Sequence, residues 1–215
     1  KEELSCLAVI YVEESGENNI GVISGANTRI SREDVLEAKN KIAEADILIS
    51  QFEVPIGAIE EAFKIAKDNN VLTVLNPAPA NKISSRLLEL TDIIIPNKTE
   101  IESLTGINID GQGKVLEAAN MLLEKGIKQV IVTLGSKGAY YISSKFAQII
   151  PAYEVKTVDT TAAGDSFVGA FCSKINSRNL NRENVLESIQ YANKIASIVV
   201  QREGAQSSLP YIEDI

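Results

Sequence analysis

Asp159-Thr160-Thr161-Ala162-Ala163-Gly164-Asp165 stands directly ahead of a stretch in which Ala163, Phe167, Ala170, Phe171 and Ile175 recur at spacings of three and four. That spacing sets the apolar side chains on one face, so it predicts an inward-packed helix whose first turn starts near Ala162. The small residues Ala162, Ala163 and Gly164 leave backbone N–H groups uncovered at that end. There the first donors of a helix lack intrahelical partners and the helix dipole is positive, so an anion of phosphate size fits. Asp165, one position further, can approach the same space and take a proton from an attacking hydroxyl, the part a carboxylate plays in phosphoryl transfer. An ordinary cap would account for Asp159 or Thr161, but not for a second Asp inside an otherwise apolar first turn.

Composition narrows the remaining classes. The chain has 215 residues, 45% of them apolar, enough for a full core in one globular domain. A formal charge of -8, 21 scattered Lys and Arg and only 5% aromatic residues argue against a nucleic-acid surface, which leaves small molecules as partners. Cys6 and Cys172 are too few for a disulfide framework or a zinc cluster and read as reduced packing residues. No apolar stretch approaches the ~20 residues of a membrane-spanning helix and no leader pattern is visible, so the expected location is the cytoplasm. The chain contains no histidine, which excludes Ser-His-Asp and Cys-His mechanisms and histidine-ligated metals. A general base must then be a carboxylate, Lys, Tyr or Cys, and Asp165 gains standing.

Two β-rich runs, 5–12 and 19–24, joined by Glu14 to Asn18, predict a hairpin, a small flap separable from a body over 25–215. Residues 31–44, opening on Ser31, read as an amphipathic helix, and Asp46–Ser50 as a short buried strand. Pro55 starts a helix carrying Ile56, Ile59, Phe63 and Ala66, and Val71–Leu75 returns as a strand. Strands over 92–95 and 128–134 follow, with helices over 98–105 and 113–125 between them. Residues 138–158 look like antiparallel strands, and a long helix covers 183–200. Alternating strands and helices predict an α/β fold, a three-layer α/β/α sheet with helices on both faces.

Other motifs fall at strand ends, where open α/β sheets collect ligands. They are Asn76-Pro-Ala-Pro-Ala80, Asn97-Lys-Thr-Glu100, Thr133-Leu-Gly-Ser-Lys-Gly138 and Gly204-Ala-Gln-Ser-Ser208. With the 159–165 run, its continuation through Ser166, Phe167 and Gly169, and the Ser-Gly-Glu-Asn and Ser-Gly-Ala-Asn segments at 15–18 and 24–27, this ordered set resembles the ribokinase-like family of sugar kinases over nearly the whole chain.

The resemblance implies ATP-dependent phosphorylation of D-ribose to D-ribose 5-phosphate. Another sugar or a nucleoside of the same family, or a nucleotide-binding fragment without turnover, stays open. It implies Asp165 as base and the amides of Ala162, Ala163 and Gly164 as anion hole. It further implies that Asn97 and Glu100 organise magnesium and the ATP phosphates through water, although a polar cap with a surface Glu explains that pair as well. Thr133, Gly135, Ser136, Gly138 and, beside the adenine, Asn193 resemble the nucleotide site; a plain glycine turn and an exposed Asn fit the same pattern. Asp159, the carbonyls of Thr161, Val199, Arg202 and Gly204, and the Ser208 hydroxyl match a monovalent-cation set, with potassium expected. Against this stand Asp159 as a helix cap and Ser208 as a loop end. Glu53 resembles a glutamate that binds ribose hydroxyls, and a homodimer through the flap is implied. The family's opening strand with a substrate-binding Asp and its Gly-Gly-Lys-Gly-type loop have no counterpart here. The chain therefore reads as N-terminally incomplete, and an unpaired strand edge and exposed apolar helix faces are expected.

Overall fold

The computed structural model describes residues 3–12 and 18–215, so the expected turn from Glu14 lies, apart from Asn18, outside the described residues. The chain divides into two compact units: Lys1–Cys6, Ser24–Thr133 and Tyr140–Gln148 form the first, and Leu7–Ile23, Leu134–Ala139 and Ile149–Ile215 the second.

The first unit holds most of a six-stranded sheet. Its strands are β3 (Ile47–Ser50), β4 (Leu72–Leu75), β5 (Ile93–Ile94), β6 (Gln129–Thr133), β7 (Ala139–Ser143) and β8 (Ala147–Ile150), neighbours in chain order. The pairings β3–β4, β4–β5 and β5–β6 are parallel. Every residue of β4 and β5 is buried, the unbroken apolar run of a parallel strand covered on both faces. The helices α3 (Ile56–Asp68), α5 (Lys98–Thr105) and α6 (Gln112–Glu124) cross between strands. Ile59, Phe63 and Ala66 of α3 are buried as their spacing predicts.

In the second unit α7 (Ala163–Lys174) packs along α8 (Arg182–Val199), with Phe171, Val185, Ile189, Ala192 and Val199 fully buried. The same unit contains the hairpin of β1 (Leu7–Val12) and β2 (Asn18–Ile23), antiparallel with Leu7 opposite Ile23. Leu7, Val9 and Tyr11, which alternate onto one face, are all exposed.

Several expectations need correction. The helix expected over 31–44 is two short ones, α1 (Arg32–Glu37) and α2 (Lys39–Ala43). The Ala38 N–H is shared between Asp34 O at 3.3 Å and Val35 O at 3.1 Å, tightening the turn. Neither helix buries a residue, so no packing holds the stripe in one straight helix. β3 is not buried: it is an edge strand with Ile49 43% exposed. Of the 138–158 segment only β7 and β8 are strands. Pro151 offers no N–H to a ladder, and 153–158 run exposed. A further helix, α4 (Ser85–Leu90), capped by the Ser84 hydroxyl, was not anticipated; at six residues it is too short to show a period.

At the starts of the central strands the buried Asp92 carboxylate fastens three elements. Its Oδ1 accepts from Lys67 Nζ at 2.6 Å and Lys128 Nζ at 2.7 Å, and its Oδ2 from the Thr73 N–H at 3.2 Å. Burial pushes the carboxyl pKa up, but the two ammonium groups and the Thr73 N–H outweigh it and hold it below the ordinary carboxylate value. A depressed folded-state pKa stabilises the fold above the unfolded value near ~3.9 and loses that stabilisation as pH falls through the folded value. Asp92→Ala should therefore cost about 2 kcal/mol at neutral pH, less than for a fully buried pair because Lys128 can rehydrate. Urea midpoints should show this difference shrinking as the pH is lowered below about 4.

Candidate phosphoryl-transfer site

The turn before α7 is built from backbone pairing with the end of α8. Val158 and Asp159 N–H groups both donate to Val200 O, at 2.7 and 3.2 Å. The Asp159 side chain then reaches in two directions, its Oδ1 accepting from the Thr161 N–H at 2.8 Å and its Oδ2 from the Gly204 N–H at 2.9 Å. Asp159 is 5% exposed, and Thr161 and Ser208 are buried with it. Bonds from the Thr161 hydroxyl and N–H and from the Gly204 N–H lower the Asp159 carboxyl pKa, against a smaller opposing effect of burial. The alternative of Asp159 as a helix cap is not what the structure shows: Asp159 holds the turn, and α7 starts with no side-chain cap bond.

Ala162 begins α7 at φ 60° and ψ 7°, in the left-handed region that costs a Cβ-bearing residue of order 1 kcal/mol. That conformation points the turn into the helix. Ala163 donates to Thr160 O at 3.2 Å, and Ser166 donates through its N–H to Ala162 O at 2.8 Å and through its hydroxyl to Ala163 O at 2.9 Å. Of the three amides expected to bind an anion, Ala163 is therefore engaged within the turn, whereas Ala162 and Gly164 have no acceptor among the described residues. Gly164 is exposed, and a Cβ there would meet nothing within 4 Å, so its smallness serves open space rather than packing. Asp165 is exposed beside it.

Within the first unit, four expected residues lie at the carboxyl ends of parallel strands. Asn97 and Glu100 form a reciprocal cap on α5. Glu100 Oε2 accepts the Asn97 N–H and Oε1 its amide Nδ2, while Asn97 Oδ1 accepts the Glu100 N–H, all at 2.8 Å. Asn97 bridges Thr133 in parallel register, and the Thr133 N–H donates to Pro96 O at 2.9 Å. Glu53 is half-buried in the turn after β3. That turn is held by Phe52 N–H to Ala78 O at 2.8 Å and Gln51 Nε2 to Asn76 Oδ1 at 2.7 Å.

Asn76, quoted above only as part of a motif, is the joint of this edge. Its N–H donates to Ser50 O at 3.0 Å and its Nδ2 to Ile95 O at 2.8 Å, tying the ends of β3, β4 and β5. A polar residue closing an apolar strand was the available signal.

In the second unit, Gly135 and Ser136 are exposed at a tight turn closed by Gly138 N–H to Gly135 O at 2.9 Å and Leu134 N–H to Gly138 O at 2.8 Å. Asn193 is not the exposed residue that its helix position allowed: it is 5% exposed and donates to Ile150 O and Pro151 O. Among the cation candidates, Val199 O accepts the Arg202 N–H at 3.0 Å and the Ser208 hydroxyl donates to Ala205 O at 2.6 Å. No helix is long and apolar enough to cross a membrane among the described residues.

The sequence pattern of the pfkB family of carbohydrate kinases matches residues 1–212. The chain is 46% identical over 208 residues to the ribokinase of Staphylococcus aureus (strain COL), covering 97% of this chain and 67% of that protein. Ribokinase from Thermotoga maritima aligns with a TM-score of 0.83 at 38% identity, covering 97% of this chain and 67% of that one. Arabidopsis thaliana ribokinase complexed with ribose and ATP aligns with a TM-score of 0.85 at 29% identity and the same coverage. The chain thus spans 67% of the length of each of these relatives and shares their α/β fold of a central sheet with helices. On sequence and fold together, the chain belongs to the pfkB family of carbohydrate kinases.

Proposed function

We propose that the chain transfers the γ-phosphoryl group of ATP to the primary hydroxyl of D-ribose, giving ADP and D-ribose 5-phosphate. The observation that carries this reading is an exposed carboxylate, Asp165, in the first turn of a helix that starts without a side-chain cap and whose Ala162 and Gly164 amides have no acceptor among the described residues. The relatives support the sugar and the donor, since all three are ribokinases and one was solved with ribose and ATP.

Asp165 takes the hydroxyl proton as the sugar oxygen bonds to the γ-phosphorus and the bond to the departing ADP oxygen breaks. The amides of Ala162 and Gly164, steadied by the Ala163 bond to Thr160, meet the negative charge on the transferring group. Glu53 accepts from neighbouring sugar hydroxyls. In the second unit Gly135, Ser136, Gly138 and Asn193 serve nucleotide binding, and in the first unit Asn97 and Thr133 do so.

Glu100 has both carboxylate oxygens turned to Asn97, a donor arrangement suited to meeting magnesium through water, which that ion sheds reluctantly. When bound, magnesium supplies charge neutralisation between the phosphates. Asp159, the Ser208 hydroxyl and the carbonyls of Thr161, Val199, Arg202 and Gly204 would hold a hard monovalent cation such as potassium, since all are oxygen donors and one is a buried carboxylate. The exposed apolar face of β1 suits pairing with a second copy of the chain, and the enzyme would work in the cytoplasm.

Asp165→Asn should lower ribose-dependent ADP release by about 10²–10⁴-fold. Calorimetry should find its ATP affinity within about threefold of the unmodified chain, because the amides and the loop are untouched. ATP binding by the unmodified chain without any ribose-dependent turnover would instead favour a nucleotide-binding module.

Asp159→Asn turns an amide N–H toward one of two backbone donors. A potassium chloride titration of activity should lose its rising phase in this variant, and thermal unfolding should show a cost of about 1–3 kcal/mol. Because the Asp159 pKa is depressed, that stability difference should hold above about pH 4 and fade as pH drops through the folded-state value.

A further inference from the structure

Asn193 spends its side chain on the main chain of a distant segment. Its Nδ2 donates to Ile150 O at 3.1 Å and to Pro151 O at 3.0 Å, which uses both amide hydrogens. The segment it holds needs such a tether, because Pro151 has no N–H and Ile150 ends β8. That segment in turn lies against Gly138. A Cβ built on Gly138 would stand 2.1 Å from Ile150 O, 2.5 Å from Ala152 N and 2.7 Å from Pro151 C, and Gly138 itself has φ 90°. Gly138 closes the loop that exposes Gly135 and Ser136. A continuous line of contacts, all within the second unit, therefore runs from α8 through the Ile150–Pro151 strap to the glycine loop.

We infer that Asn193 is a positioning residue for the nucleotide loop, acting through the donor half of its amide on the Ile150–Pro151 strap, which fixes Gly138 and with it Gly135 and Ser136. This rests on the reading of that loop as part of the nucleotide site. It assigns Asn193 a role distinct from reading the base: its donors are used, and only Oδ1 is left to face another group.

Two substitutions separate the donor from the acceptor. Asn193→Asp is nearly isosteric and keeps the acceptor, but sets a carboxylate oxygen against two carbonyls; Asn193→Ala removes both. Calorimetric titration of the 215-residue chain with ATP, ADP and GTP should show the same loss for all three nucleotides, about tenfold, in either variant, since loop position and not base identity is disturbed. Hydrogen exchange should show at least tenfold faster exchange at the amides of 135–138, with the amides of α7 unchanged.

Gly138→Ala disturbs the other end of the line, so the double variant with Asn193→Ala should bind no more weakly than the worse single one, the signature of coupled residues. If Gly138→Ala does not fold, the exchange pattern of the Asn193 variants decides the matter alone. Retained binding in Asn193→Asp, or a loss confined to ATP and ADP, would overturn the inference in favour of direct base contact through Oδ1. Uniformly faster exchange throughout α7 and α8 would overturn it in favour of a general packing role. Absence of any nucleotide binding by the unmodified chain would overturn the reading of the loop itself, whereas intact binding in every Asn193 variant would overturn only the tether.

Discussion

The carboxylate of Asp159 is the constraint on which the site depends. Two backbone N–H groups, Thr161 close by and Gly204 forty-five positions along the chain, converge on its two oxygens. A buried carboxylate is tolerable only when its charge is met by donors, and here both are main-chain amides held by the neighbouring fold. The consequence runs in both directions. The charge is stabilised by the turn, and the turn is kept from relaxing by the charge, so the start of α7 has one geometry before any ligand arrives.

That fixed start explains how an alanine persists at a positive φ. Ala162 in the left-handed region is uphill by itself, yet it is flanked by Thr161, pinned by Asp159, and by the Ser166 bonds back to Ala162 O and Ala163 O. The over-determined surroundings hold the unfavourable residue in place. A conventional capped start would have spent a side-chain oxygen on the first amides; this one leaves Ala162 and Gly164 without an acceptor among the described residues. Preorganised donors of this kind need no reorganisation when charge develops next to them.

Much of this was legible from residue order, and the failures have physical causes. The buried strands β4 and β6 announced themselves as apolar runs, and α5 was legible at its observed bounds, although the reciprocal bonds of Asn97 and Glu100 at its start were not. The 31–44 stripe misled because periodicity reports a potential face and not the partner that would bury it. Nothing local marks Ala162 for a positive φ, since alanine is the least informative residue for that conformation. The second ligand of the Asp159 carboxylate, Gly204, and the carbonyls under Asn193 are long-range partners, which spacing along a helix cannot encode.

The two acidic residues that bracket the motif sit in opposed environments within one short run. Asp159 is buried, and its oxygens are turned to amides, which makes it a fixed anion suited to holding geometry and poorly suited to exchanging protons. Asp165 is exposed in the first helical turn, where a group that must receive a proton from an arriving alcohol has to stand. Exchanging these environments would leave Thr161 and Gly204 without a common acceptor on one side and close off the exposed carboxylate on the other. The five-residue separation of the two carboxylates includes the strained Ala162 and the open Gly164. It lets the turn be rigid on one side and accessible on the other within a single pass of backbone.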